Sequence, residues 1–198
     1  GVSASAFSAS SAATVAAVKR QKAAQQAKHA RKNDHGETLV HAQTIKGNVD
    51  RVRALLEDNA YVNTTDHNGW TPLHEACNHG HEAIVELLLT KAEPVAKVNS
   101  VGSNQVRADK ITPLHDAAEN SYSTICKLLL EHGANPKLVD ARGRTPLDVA
   151  GDEDTFTIIK EGSIVAGMTE VANRQYDGFD EEDVDFSDGA FDGTARSF

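Results

Sequence analysis

Aromatic side chains make up only 5% of this 198-residue chain: one Trp, three Tyr and six Phe. A core built on large rings is thereby excluded. The 39% hydrophobic content must come mainly from Ala, Leu and Val, which suits packed helices. There are two cysteines, Cys77 and Cys126, too few for a disulfide framework, so a reducing compartment is expected. No apolar run nears the roughly 18 residues of a membrane span, and no membrane contact is expected. H-E-x-x-H, a C-x-x-C pair, a Walker loop and G-x-S-x-G are all missing. No nucleophile–base pair stands out, so neither catalysis, nor a metal, nor a cofactor is expected. Twenty cations face 29 acids, a net charge of −9. That balance disfavours nucleic acid as the main ligand and favours a basic partner. The chain opens on Gly rather than Met, which reads as a piece of a longer protein.

What the chain has is a repeat. "GETLVHAQTIKG" begins at Gly36, "GWTPLHEACNHG" at Gly69, "KITPLHDAAENS" at Lys110 and "GRTPLDVAGDED" at Gly143. The threonines Thr38, Thr71, Thr112 and Thr145 are separated by 33, 41 and 33 residues. Each of the first three units is followed by a second helical pattern: "VDRVRALLEDNA", "EAIVELLLTKAE" and "STICKLLLEHGANP". A period of this length signals a solenoid whose units cannot bury their apolar faces alone.

The motif has a mechanical reading. Thr is a good N-cap, and Pro72, Pro113 and Pro146 fit the first helical position, where no amide hydrogen is needed. Three residues after Thr stand His41, His74, His115 and Asp148, placed to return a hydrogen bond to the turn. These histidines are therefore read as structural, not catalytic. Gly47 and Gly80 stop the first helix, with Ser121 and Asp154 at the equivalent later positions. Leu87–Leu89 and Leu128–Leu130 form the second-helix core, and the two cysteines read as small buried hydrophobes.

The T-P-L-H signature and its period resemble the ankyrin repeat over residues 33 to 162. The implied fold is all-α: an ankyrin solenoid of four repeats, each a helix-turn-helix plus finger loop, the last degraded. Residues 1–32 would be a basic Ala/Ser-rich extension, and 163–198 a capping helix followed by an acidic–aromatic tail.

Repeats allow positions to be compared without an alignment. One residue before Thr stand Glu37, Trp70, Ile111 and Arg144; four after it, Ala42, Glu75, Asp116 and Val149. Seven after it stand Ile45, Asn78, Glu119 and Asp152; five before it, Asn33, Asp66, Arg107 and Asp140. In an ankyrin stack these line the concave face and fingers. The first three repeats thus gather Glu37, Asp66, Glu75, Asn78, Asp116 and Glu119 around an exposed Trp70. A solvated acidic face is the plain alternative, and Asp66 has a competing role in bonding its own turn. Unpaired carboxylates held together are costly unless a cation joins them, and a lysine ammonium with three donors suits such a slot.

At the level of individual motifs, "GWTPLHEACNHGH", "VELLL" and "TPLHDAAEN" resemble the ankyrin domain of BARD-type proteins, RING partners of the BRCA-type ubiquitin ligase, and of Tonsoku-like proteins. The resemblance implies a nuclear, chromatin-associated reader of the histone H-four tail, specific for an unmethylated lysine, in replication-coupled repair by homologous recombination. It places Glu37, Asp66, Trp70, Glu75, Asn78 and Asp116 at the lysine, with Asn120 as a further wall and Glu119 added by the repeat comparison. Implied partners also include the BRCA-type RING protein or replication-repair proteins. Corepressor ankyrin domains carry similar text, so a scaffold in a corepressor complex is the alternative, and an accessory module of a ubiquitin ligase a third reading. One Trp without companion rings is no aromatic cage, so the unmethylated form should be preferred.

The connection "TKAEPVAKVNSVGSNQVRADK" is eight residues longer than the period and should protrude as a finger. Residues 1–32 carry six cations and no acid; "KR", ten residues and "RK" resemble a bipartite nuclear import signal. "KHARK" at Lys28–Lys32 raises a second idea, that the extension occupies the groove. The tail holds eight acids between Asp177 and Asp192 with Tyr176, Phe179, Phe186 and Phe191. It reads either as a solubilising tail or as a segment that shields core histones.

Overall fold

The computed structural model describes the backbone of residues 4–102 and 110–176, and the side chains within 14–165 apart from 25 and 103–109. The acidic–aromatic tail beyond Tyr176 and the finger cation Arg107 lie outside the described residues. The elements are helices: α1 (Ala4–His29), α2 (Leu39–Ile45), α3 (Val49–Glu57), α4 (Pro72–Asn78), α5 (Glu82–Thr90), α6 (Pro113–Glu119), α7 (Ser123–Glu131) and α8 (Glu153–Tyr176). Among the described residues one isolated antiparallel bridge, Gly102 to Ile111, closes the base of the long finger.

Two layers follow from the repeat. The short first helices α2, α4 and α6 stack on one another, and the second helices α3, α5, α7 and α8 stack behind them. Val40, Leu73 and Leu114 fill the first-helix layer; Val52, Ile84, Leu88, Ile125, Leu129 and Ile159 fill the second. All are buried, and they form one continuous core. Cys77 and Cys126 belong to that core as free thiols. Burial pushes the Cys126 thiol up to about 12 and Cys77 higher than its ordinary value, so both stay protonated and apolar.

The T-x-x-H unit does more than cap its helix. The Thr71 amide donates to His74 Nδ1 at 3.1 Å, and His74 Nε2 lies 3.2 Å from the Ile111 carbonyl of the next repeat. His41 repeats this between Thr38 and the Trp70 carbonyl, and His115 between Thr112 and the Arg144 carbonyl. Each ring accepts at Nδ1 and donates at Nε2, so each is a neutral rivet between neighbouring repeats. Burial holds all three below the ordinary histidine value, His74 at about 4. In the last repeat Asp148 caps the turn through Thr145, at 2.8 Å to its amide. It is too short to reach another repeat.

A second ladder runs beside the first. Gly47 and Gly80 adopt φ of 66° and 71°, ending α2 and α4. A Cβ at Gly47 would strike the His81 ring, and one at Gly80 the Tyr122 ring, so each glycine is also the seat for the next repeat's ring. Ser121 holds the same left-handed conformation, φ 61°, without glycine's freedom.

The fourth repeat departs from the expected pattern. Pro146–Val149 form a turn rather than a first helix, and Asp154 does not stop a helix but lies in the first turn of α8. Asp152 accepts from the Thr155 amide at 2.8 Å and so starts α8. Helix α8 then runs on without a break across residues 162 and 163. With Gly151 and two acids in the region of the missing turn, the local sequence does not sustain a helix there.

Helix α1 lies at the C-terminal ends of the second helices. Lys22 pairs with Glu93 at 2.7 Å beyond α5, and His29 with Asp58 at 2.6 Å beyond α3. The seven residues between them rise about 10 Å, which matches one inter-helix spacing of the stack. Lys28 also reaches Asp58, and Lys32 donates to the Thr65 carbonyl. The groove-occupation idea for "KHARK" is thus corrected: Lys28 and His29 engage Asp58 and Lys32 the Thr65 carbonyl, not the acidic row.

Candidate functional site

The acidic row is assembled from three repeats. Glu75 sits four residues after Thr71 and Asp116 four after Thr112, so the two fall at equivalent points of stacked helices α4 and α6. Glu75 is 7% exposed and Asp116 4%. Asp116 Oδ2 is buried and has no hydrogen-bond partner. Burial, followed by the charge of Glu75 and then Glu119, holds the Asp116 carboxyl well above its ordinary value. Glu75 is pushed up to about 7, by burial first and then by Asp66 and Glu37. Glu37 and Asp66 thus act on Glu75, and Glu75 and Glu119 act on Asp116.

Counter-charge within the row is scant. Arg144, the arginine at the matching position, is turned to Asp140, with its Nε 2.9 Å from Oδ2. His79 Nε2 lies 3.6 Å from Glu75 Oε2 on a half-exposed side chain. Among the described residues no lysine or arginine forms an ion pair with Glu75 or Asp116.

The remaining expected residues take distinct places. Asp66 is buried and spends both carboxylate oxygens on its own turn: Oδ1 accepts from the backbone amides of Asn68 and Trp70, both at 2.8 Å, and Oδ2 from the Asn68 side-chain amide at 3.2 Å. Asn33 does the same one repeat earlier, for the amides of His35 and Glu37, and Asp140 one repeat later than the long finger. The turn thus needs an acceptor, not a charge. Glu37 is half-buried and held by the Asn33 amide at 2.8 Å. Asn120, at the end of α6, donates to the Asp116 carbonyl and to Asn78 Oδ1 at 3.3 Å, tying two repeats together. Glu119 is exposed at the rim.

Trp70 corrects an expectation of full exposure: it is half-buried. Its ring stacks on His74, centroids 6.2 Å apart at 22°. Its other neighbour is Gly102 of the long finger, where a Cβ would stand 2.8 Å from Trp70 Cδ1. Sequence reading missed Gly102 because the long finger breaks the register that made the other positions comparable. The excess over the period did mark that segment as unusual.

A profile described as ankyrin repeats (3 copies) matches residues 7–100, and one described as ankyrin repeats (many copies) matches residues 98–150. The chain belongs to the ankyrin-repeat family. The first match also covers helix α1 from residue 7 onward. A protein of Bos taurus named SMC5-SMC6 complex localization factor protein 1 is 36% identical over 152 residues, which cover 73% of this chain. Its Homo sapiens counterpart is 35% identical over the same length. The chain spans 14% of the length of these two relatives. A Notch-regulated ankyrin repeat-containing protein of Xenopus tropicalis is 38% identical over 29% of this chain and 51% of its own. Relatives of BARD-type or Tonsoku-like name are not among these, so the family shown is the ankyrin repeat at large. The domain is a protein-interaction module of a class that is typically non-catalytic, and its matched relatives are named for localization rather than for an enzyme activity.

Proposed function

We propose that this ankyrin domain is a non-catalytic reader of a basic peptide, the histone H-four tail carrying an unmethylated lysine. One observation carries the reading: Glu75 and Asp116 are buried carboxylates from adjacent repeats, and among the described residues no lysine or arginine pairs with either and Asp116 Oδ2 has no partner. Such a row is stabilised by a cation from outside. A lysine ammonium brings three donors to it, and each bond shielded from water contributes about 1.5–3 kcal/mol. Every methyl removes a donor and adds bulk, leaving an acceptor unsatisfied at a cost of about 1–3 kcal/mol. Glu37, Asp66 and Glu119 extend the negative field, Asn78 and Asn120 line it, and Trp70 covers the lysine stem.

In the wider protein, this reader would hold the chain on chromatin in the nucleus, during replication-coupled repair. The name of the bovine and human relatives, a localization factor for the SMC5-SMC6 complex, is consistent with a tether of that kind. That naming also favours a second reading, a plain adaptor that docks a protein partner without reading lysine methylation, as in a corepressor or ubiquitin-ligase assembly. Titration with H-four tail peptides separates the two. The reader binds the unmethylated peptide at least about tenfold more tightly than the dimethylated one, and Asp116→Asn loses that binding with helix content unchanged. Binding blind to methylation, or binding that survives Asp116→Asn, would leave only the adaptor.

A further inference from the structure

The long finger between the second and third repeats is anchored in a way the other fingers are not. The Gly102 amide donates to the Ile111 carbonyl at 2.7 Å, closing the base of the finger. That carbonyl is the one His74 Nε2 also reaches, at 3.2 Å. Gly102 in turn lies against the indole edge: a Cβ there would stand 2.8 Å from Trp70 Cδ1, 3.0 Å from Nε1 and 3.4 Å from His74 Nε2. The Trp70 ring is thus clamped between the His74 ring and the backbone of the finger. The Trp70 amide is held by Asp66, and its carbonyl by His41. Backbone and ring of one residue are fixed from four directions.

From this geometry we infer that Gly102 is a positioning residue for peptide recognition, setting through backbone contact the ring angle of Trp70 at the edge of the acidic row. The inference rests on the proposed reader function and adds to it a role for the finger base. Gly102 is not among the glycines with positive φ, so an alanine there meets no backbone strain of its own. What it meets is the indole. Among the described residues, His74 is fixed by bonds to two repeats, and Gly102 by its bridge to Ile111. The Trp70 ring is the part that must turn. A methyl in this gap therefore moves the ring without removing any polar group.

Trp70 is the single tryptophan of the chain, so its emission reports this contact directly. The test is Gly102→Ala in the full chain, measured in three ways. In the free protein the emission maximum shifts to the red, because the displaced ring gains water. Affinity for the unmethylated H-four peptide falls roughly tenfold, the low end of what forcing one methyl into a packed contact costs. The ratio of unmethylated to dimethylated affinity falls with it, while the far-ultraviolet spectrum stays unchanged. Trp70→Phe in the same assay should make the Gly102→Ala effect on affinity disappear, since the smaller ring leaves room for the methyl. If the wild-type chain binds the peptide and Gly102→Ala binds equally well, the positioning role is overturned and the reader stands. If the wild-type chain does not bind the peptide, the reader and this role fall together. An unshifted emission maximum in the free variant overturns the clamp whatever the peptide does.

Discussion

Replacing Glu75 by Gln turns the charge of the acidic row into a measurable stability. The Glu75 carboxyl titrates near 7 in the folded chain, against 4.5 ordinarily. The folded state therefore binds more protons than the unfolded one between those values. By linkage, stability falls as pH rises through that window. The ionised row costs about 3 kcal/mol at pH 8 but only about 1 kcal/mol at pH 5, from 1.36 kcal/mol per pKa unit. A glutamine at this position has the shape of the protonated acid and never ionises. Relative to the wild type, Glu75→Gln should thus gain about 2 kcal/mol between pH 5 and pH 8. Any constant cost of the amide cancels in that comparison. His74 titrates near 4 and works in the opposite sense, contributing stability above the ordinary histidine value that is lost as pH falls toward 4. Glu75 is not among the groups that set the His74 value, so the His74 contribution is common to both proteins and also cancels. The assay is urea denaturation followed by far-ultraviolet circular dichroism at both pH values without peptide. Identical pH dependence in the two proteins would refute the claim that Glu75 is held protonated by its surroundings. Added H-four peptide should reverse the effect in the wild type alone, by drawing the carboxylate to its ionised form and releasing a proton.

Other substitutions divide the site differently. Asp66→Asn should keep the finger turn, since Asn33 already performs that task in the first repeat; thermal unfolding should be nearly unchanged while peptide affinity falls several-fold, and a large loss of stability would show that the charge itself holds the turn. His74→Ala strips a partner from the Thr71 amide and from the Ile111 carbonyl at once, and should cost about 2–4 kcal/mol in urea denaturation. Ser121→Gly should stabilise the chain by about 1 kcal/mol by relieving the left-handed conformation at φ 61°; a lower melting temperature would refute that. Deleting residues 1–32 should leave H-four peptide affinity unchanged, because Lys28, His29 and Lys32 engage Asp58 and Thr65; tighter binding by the truncated chain would restore the groove-occupation idea.

The ankyrin fold was legible because its positions repeat. Thr, Pro and His at fixed offsets state where each first helix starts, and the leucine triplets state where the second helix packs. The limits of that legibility have physical causes. The T-P-L text of the fourth repeat promises a helix, yet Pro146–Val149 remain a turn, because so short a helix is marginal by itself and Gly151 with its neighbouring acids does not favour one. The continuity of α8 was hidden by Gly162, which a sequence reader takes for a stop. In the structure Gly162 lies within the helix and faces Leu130, leaving no room for a side chain. For the acidic row, repeat comparison gathered Glu75 and Asp116 correctly onto adjacent stacked helices. The turn-bonding role weighed for Asp66 is also there, through the amides of Asn68 and Trp70, but nothing in the repeat comparison showed that Trp70 is half-covered by a glycine 32 residues on.

The dipeptides His74-Glu75 and His115-Asp116 join the architecture to the proposed recognition. Adjacent residues on a helix point about 100° apart, so one pair of neighbours can serve two surfaces. The histidine turns to the following repeat and rivets it through a carbonyl. The acid is presented to its counterpart in the stack, where like charge and burial oppose its ionisation. The rivet fixes the spacing that keeps the acids close; without it the repeats could slide and the carboxylates would separate into water. That predicts a coupling between two residues with different tasks. His41→Ala should weaken peptide binding although His41 touches none of the row's acids through a hydrogen bond, and should also lower the Glu75 titration midpoint as Glu37, in the repeat that His41 ties to the Trp70 carbonyl, moves away. Carbon-detected nuclear magnetic resonance of the Glu75 carboxyl over pH 4 to 9 reads that midpoint directly. An unchanged midpoint in a folded His41→Ala chain would mean that the core, not the histidine ladder, holds the acids together.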